Sequence, residues 1–417
     1  MEVFYQGKLT IQYLYIPLQH ISTQKVKHHS SPQTNNHMTT SKQPLNPYAS
    51  VIIAILFILA PHCSFATVPD SITRNLEDYD FLTSFTEENY AAFPAIMEMG
   101  YKKKYETLKK RLRKQVVKGK KDIEQAVCDY AIWFHRNFDT HYSIENTTLW
   151  DSYVQSIHTD YTKVMEYNPQ PVSCKVDEQT WLVRVPSCTG ENPTAEWVQQ
   201  AAKQYEESGC ENLIIDVRGN GGGNDGILWP FLQLIVDHQR ERPLENFFRN
   251  TPRNQKYWEF LLEQQMGDSV RSQQFLEQCK QSLGKNEFER WSVWDASDIN
   301  PTLPPKCVAI IADNQSASAA EGLIQIYAKD NSNRTKFYGK ERTYGAELTG
   351  NVFYTKLPHA DIYLVYPTCI KTFEFLKDSS FGKIGIEPDV HIPLAYPERL
   401  TDNIDEWVLW IAKEMKK

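Results

Sequence analysis

Between residues 70 and 138 apolar residues recur three and four positions apart with few helix breakers. The stretch runs from Glu87-Glu88-Asn89-Tyr90 through Tyr105-Glu106-Thr107-Leu108 to Ile123-Glu124-Gln125-Ala126-Val127. That period matches the turn of an α-helix and predicts a small helical domain leading into the rest of the chain. From about Thr180 the pattern shortens. Thr180-Trp181-Leu182-Val183-Arg184-Val185-Pro186 reads as a strand, and helical spacing returns from Thr194 to Glu207. Asn212-Leu213-Ile214-Ile215-Asp216-Val217 is an apolar strand that runs into Arg218-Gly219-Asn220-Gly221-Gly222-Gly223, with a helix expected from Ile227 to Val236. Cys307-Val308-Ala309-Ile310-Ile311-Ala312 is a second apolar strand, with a helix expected from Ala319 to Ala328. Two strand-turn-helix units of this kind predict an α/β core with a largely parallel sheet. Between them, residues 237–305 are rich in Gln and Glu and partly helical, and are expected to cover one rim of the core. The chain closes on an amphipathic helix from Glu406 to Lys416.

One more apolar run changes the picture at the amino end. Ser50 to Ala60 is about a dozen residues, short of the roughly 20 that span a bilayer. Met38 and Lys42 precede it, and the small-x-small sequence Ser64-Phe65-Ala66 follows. This is the form of a secretory signal peptide that starts at Met38, so residues 1–66 are expected to be a leader and the mature chain to begin at Thr67. Export, to the periplasm or outside the cell, is the expectation, with no stable membrane span after the leader is removed. A membrane anchor is the competing reading. Seven cysteines follow the leader, Cys128, Cys174, Cys188, Cys210, Cys279, Cys307 and Cys369. They form no Cys-x-x-Cys pair and no zinc-type spacing with histidine, so no structural metal is expected. The formal net charge of -7 argues against a nucleic-acid partner. The basic run from Lys102 to Lys121 reads as the solvated face of a helix.

Three segments carry candidate chemistry. In Asn314-Gln315-Ser316-Ala317-Ser318-Ala319-Ala320-Glu321 a serine sits between an apolar strand and a helix. The first amides of a helix have no internal partner, so the Ala319 N–H can meet an oxyanion formed by attack of Ser318. The same Ser318-x-x-Glu321 spacing is also a capping box that needs no chemistry. The glycine turn after Asp216 lacks both a dinucleotide fingerprint and a P-loop lysine. Its uncovered amides can supply a second oxyanion donor, from Gly221 or Gly222, or it can be a tight turn alone. In Phe138-Asp139-Thr140-His141-Tyr142-Ser143 the histidine is a candidate general base, one of six histidines that follow the leader.

Taken in order, Asp-x-His, Asp-x-Arg-x-Asn-x-Gly-Gly, Ser-Ala-Ser-Ala-x-Glu and Gly385-Ile386-Glu387-Pro388-Asp389-Val390 resemble the tail-specific (C-terminal-processing) serine peptidases over residues 139–393. The resemblance implies that Ser318, not Ser316, is the nucleophile. Bacterial processing enzymes of that family use a lysine in Thr-Phe-Gly-Lys; Thr343-Tyr344-Gly345-Ala346 puts Ala346 in its place. The tricorn-like branch uses instead a histidine, a neighbouring hydroxyl and a late glutamate. His141 and Thr140 fit the first two. The glutamate's place falls near Gly382, so Glu374 and Asp378 are the nearest orienting acids, with Glu387 behind them. Only about 40 residues separate His141 from Thr180, so the family's PDZ domain is expected to be absent.

The resemblance implies a crotonase-like α/β core over residues 139–417, with an insertion at about 237–305, preceded by a helical N-terminal domain over 67–138. It implies a serine peptidase that hydrolyses polypeptide through an acyl-enzyme on Ser318. His141 is then base, and Ala319 with Gly221 or Gly222 forms the oxyanion hole. No cofactor or metal is implied. Two other readings stand beside it: a non-catalytic ligand- or peptide-binding protein on the same fold, since a related vertebrate family binds retinoids, and a scaffold in which Ser318 is only a cap.

Overall fold

The computed structural model describes residues 70–238, 244–294, 305–329, 331–371 and 385–417; the expected leader, Glu374, Asp378 and Gly382 lie outside them. The opening segment is helical, as its period predicts, with helices Asp70–Asn89, Lys102–Val117 and Ile123–Asn137. Lys102–Val117 buries Tyr105, Leu108, Leu112 and Val116 and exposes most of its lysines, so the basic run is a solvated helix face. Ile123–Asn137 begins at Asp122, whose carboxylate accepts from the Gln125 amide at 2.8 Å, an N-cap. Its last turn delivers the chain to Asp139 and His141.

The strands, in chain order, are β1 Ser143–Glu145, β2 Glu166–Tyr167, β3 Val172–Asp177, β4 Thr180–Arg184, β5 Asn212–Asp216, β6 Leu244–Arg249, β7 Phe288–Trp294, β8 Cys307–Ile311, β9 Thr335–Gly339, β10 Thr349–Lys356, β11 Tyr363–Lys371, β12 Val390–His391 and β13 Arg399–Leu400. Six form the core sheet, in the order β12-β9-β8-β5-β4-β3. All its pairs are parallel except β3 with β4. Both faces are covered. Leu213 and Ile215 of β5 face the main core, while Ile214 packs with Trp407, Val408 and Ile411 of the closing helix Glu406–Glu414. Successive side chains of a strand point to opposite faces, so burial on both sides yields the unbroken apolar run seen in the sequence.

The second sheet is antiparallel, in the order β1-β11-β6-β7, with β10 also on β11. It was not legible from the pattern. Residues 237–305 supply the expected helices, Pro252–Glu263 and Ser269–Ser282, but also β6 and β7. β11 contains Pro367, which reads as a strand breaker because it lacks the ladder N–H. The helical segment packs here: the Ala91 amide donates to the Pro367 carbonyl at 3.2 Å, and the rings of Phe85 and Tyr366 meet at 5.0 Å. One hydrophobic core therefore runs from Tyr79 to Ile386. The helix expected over Ala319–Ala328 is a short turn, Ala319–Gly322, that widens into π-helical turns through Lys329. All seven described cysteines are free thiols. Among the described residues, no helix is long and apolar enough to cross a membrane.

Candidate active site

Strand β8 ends at Ile311, and the following loop brings two serines to the sheet's carboxyl edge. Ser316 is fully buried, and its hydroxyl donates to the Val217 carbonyl at 2.7 Å, a structural bond. Ser318 is half-buried and holds φ 53°, ψ -107°. A positive φ on a residue with a Cβ costs on the order of 1–3 kcal/mol and persists only where the surroundings enforce it. The enforcing bonds are on either side: the Ala317 amide donates to the Asn220 carbonyl at 2.9 Å, and the Ser318 amide to Glu321 Oε2 at 3.0 Å.

That last bond is the one the capping-box spacing predicts, yet Glu321 does more than cap. It also accepts from Thr343 Oγ1 at 2.5 Å and from the Gly345 and Ala346 amides at 2.6 Å each. Burial and the nearby Glu347 push its pKa up, to about 8, while these donors favour the charged form. Glu321 thus ties the serine turn to residues 343–346.

The glycine turn lies directly on the serine. Gly222 has φ 99°, and a Cβ there would fall 2.6 Å from Ser318 Cβ and 3.2 Å from the Ala319 nitrogen, so only glycine fits. The Gly222 amide, however, donates to Asn220 Oδ1 at 2.9 Å, which removes it as an oxyanion donor. Among the described residues, no hydrogen bond uses the Gly221 or Ala319 amides, so of the two glycine choices it is Gly221 that keeps an amide to offer.

His141 is buried, 1% exposed. Its Nδ1 lies 2.9 Å from Thr349 Oγ1, and that hydroxyl donates to Asp139 Oδ2 at 2.9 Å. A carboxylate only accepts, and a hydroxyl has one proton to give. Thr349 must therefore accept from Nδ1–H, which leaves the lone pair on Nε2. Asp139 is fixed in turn by Tyr90 OH on Oδ2 at 3.0 Å and by the His141 amide on Oδ1 at 3.0 Å, and Oδ1 is 3.5 Å from Nδ1. The hydroxyl on the imidazole is thus Thr349's. Thr140 instead donates its amide to the Gly345 carbonyl at 3.3 Å, and its Oγ1 has no partner among the described residues. The carboxylate bonded to that hydroxyl is Asp139, two residues before the histidine. The Asp-x-His spacing was a local signal for it; nothing in the sequence marks Thr349.

A lysine is also present, although Ala346 occupies the family position. Lys371, from the end of β11, donates its ammonium to the Glu347 carbonyl. Burial lowers its pKa, with Glu347, Glu321, Asp225 and Asp139 opposing. Among the described residues, no group of three or more His, Cys, Asp or Glu could hold a metal.

Solved structures that share the fold include two of mature CPAF. Mature CPAF complexed with lactacystin is 13% identical, with a TM-score of 0.50 over 83% of this chain and 98% of that one. Mature CPAF alone is 14% identical, with a TM-score of 0.50 over 83% of this chain and 96% of that one. No curated protein matches the chain. Residues 180–392, just over half of the sequence, match peptidase family S41. With five of the six core strands, the serine turn and the glycine turn inside that span, the chain belongs to peptidase family S41.

Proposed function

We propose that this peptidase cleaves polypeptide by acyl transfer to Ser318 with His141 as general base, and that it does so after export. The supporting observation is the continuous set of bonds between the two residues. Ser318 N–H binds Glu321, Glu321 binds the Gly345 and Ala346 amides, and the Gly345 carbonyl binds the amide of Thr140, next to His141.

In this reading Nε2 of His141 takes the hydroxyl proton as Ser318 Oγ attacks the scissile carbonyl carbon. The amides of Ala319 and Gly221 meet the charge that develops on the carbonyl oxygen. Thr349 and Asp139 hold Nδ1–H, fixing the tautomer and balancing the imidazolium that forms. The imidazolium then protonates the leaving amine. Water, deprotonated by His141, attacks the acyl-enzyme and returns Ser318 to its starting state. The mechanism needs no carboxylate from Glu374 or Asp378.

A fluorophosphonate probe tests the nucleophile: wild type should be labelled, Ser316→Ala should still be labelled, and Ser318→Ala should not. A wild type that neither labels nor cleaves peptides favours the binding-protein reading. The lowered pKa of Lys371 supports a second reading, in which its amine takes the proton. His141→Gln and Lys371→Met separate the two, since only loss of the true base abolishes labelling. Export rests on the apolar run and Ser64-Phe65-Ala66; N-terminal sequencing of secreted protein should begin at Thr67.

A further inference from the structure

The turn that presses Gly222 against Ser318 starts at Arg218, whose buried guanidinium bridges two carboxylates. Nε and Nη2 donate to Asp216 Oδ1 and Oδ2 at 2.9 and 2.6 Å. Nη2 and Nη1 donate to Asp405 Oδ2 and Oδ1 at 2.7 and 3.4 Å. Asp405 lies 187 residues further on and is the N-cap of the closing helix, accepting from the Trp407 and Val408 amides at 3.0 and 3.3 Å. Arg184, at the end of β4, closes the ring. Its Nε donates to Asp216 at 2.7 Å, its Nη2 to Asp405 at 3.2 Å, and its Nη1 to the Thr401 and Asn403 carbonyls at 2.7 and 3.1 Å. Two arginines and two aspartates make the ring electrically neutral, and no member's side chain is more than 2% exposed.

A buried ion group of this kind adds little stability over apolar packing, and in some proteins it serves instead to fix a geometry. The geometry fixed here is that of the glycine turn. Directly after Arg218, the Gly219 amide is held by Asp313 Oδ1 at 3.2 Å. Asn220 then holds the Gly222 amide with its side chain and the Ala317 amide with its carbonyl. Arg218 is thus joined through Gly219 and Asn220 of this turn to the Gly221 amide, and through Asn220 to the residue before Ser318.

We propose that Asp405 is a positioning residue for the reaction: the carboxyl-terminal segment is a clasp whose helix-capping carboxylate fixes Arg218, and through it the amide that meets the oxyanion. Its effect on rate rests on the serine-peptidase reading; its effect on the turn does not.

The experiment compares Asp405→Asn with Ile411→Ala, which weakens the same helix on its buried face and removes no bond of the ring. Amide hydrogen exchange over residues 218–223 is measured with kcat and KM on a peptide, at a temperature where every variant is folded. Asp405→Asn should speed that exchange and cut kcat about tenfold or more, with KM within about twofold. Ile411→Ala should lower Tm and leave both unchanged. If Asp405→Asn does not fold, Arg218→Lys replaces it, keeping the charge but losing the fork that spans both carboxylates, with the same result expected. Unchanged exchange and kcat overturn the clasp, as do equal changes in Ile411→Ala. Faster exchange in a protein that is inactive even as wild type upholds the clasp and sinks the serine-peptidase reading.

Discussion

The ring of Arg184, Asp216, Arg218 and Asp405 and the cluster around His141 are both buried, yet they treat their polar atoms in opposite ways. In the ring every charge has an opposite charge within 3.2 Å. Burial pushes the Asp216 pKa up, but Arg218 and Arg184 outweigh it and hold the carboxyl at about 2. Around His141, Thr140 Oγ1, His135 Nε2, His158 Nε2, Tyr344 OH and Glu347 Oε2 have no hydrogen-bond partner among the described residues. Three of these residues touch: His158 stacks on Tyr344 at 4.3 Å, and His135 meets the same ring edge-on at 6.3 Å. Buried polar atoms without partners are rare in native proteins, and each calls for an explanation. Full pairing makes the ring a rigid support. Incomplete pairing leaves the other region closed but unsatisfied.

The largest expected effect breaks or upholds that comparison outright. His141→Gln should reduce peptide hydrolysis on the order of 10³-fold or more in steady-state assays, because base and nucleophile act as one unit. Near-wild-type turnover would take the base role from His141, favour Lys371, and remove the link between the unpartnered atoms and a histidine base. A second, smaller effect sharpens it. Thr349→Val removes the hydroxyl between Nδ1 and Asp139 and should lower kcat about 10- to 100-fold, the cost of one lost bond in a buried network. Thr140→Val should stay within about threefold, since its hydroxyl makes no bond that is lost. The reverse order would restore Thr140 as the polarising residue.

How much of this was legible beforehand follows from the range of each contact. β5 and β8 could be read because a strand covered on both faces is apolar at every position. Ser318 and the glycine turn could be read because each lies next to such a strand. Thr349 could not: it lies 208 residues from His141 and reaches it only through the pairing of β10 with β11. Lys371 was missed for a related reason. The sequence shows Ala346 where a lysine was sought, but a side chain from the far end of β11 enters the same neighbourhood. Asp405 stands just before the closing helix, but both its cap bonds and its place in the ring come from the fold. Local periodicity reports one element's faces; it carries no register between distant elements.

The smallest effect tests whether the unpartnered cluster is as closed as its burial implies. His135 is fully buried, with Nδ1 3.1 Å from Tyr153 OH. Burial first, and then His158, lower its pKa to about 3, with Asp139 opposing. In the unfolded chain a histidine takes its proton near pH 6.5. Between those values the unfolded state binds one proton more, so folding stability falls as pH drops through 6.5 and continues to fall toward about 3. One such group costs about 1.4 kcal/mol per pH unit well inside that window, and about 1 kcal/mol between pH 6.5 and 5.5. Glutamine does not titrate. His135→Gln should therefore be less stable than wild type at pH 7, where the bond to Tyr153 is altered, and lose less stability from pH 6.5 to 5. Urea unfolding at several pH values across that range measures both slopes. Parallel slopes would mean that His135 gains a proton in the folded state as readily as in the unfolded one. Water would then already reach Nε2, and the contrast between a closed ring and an equally closed but unsatisfied cluster would fail.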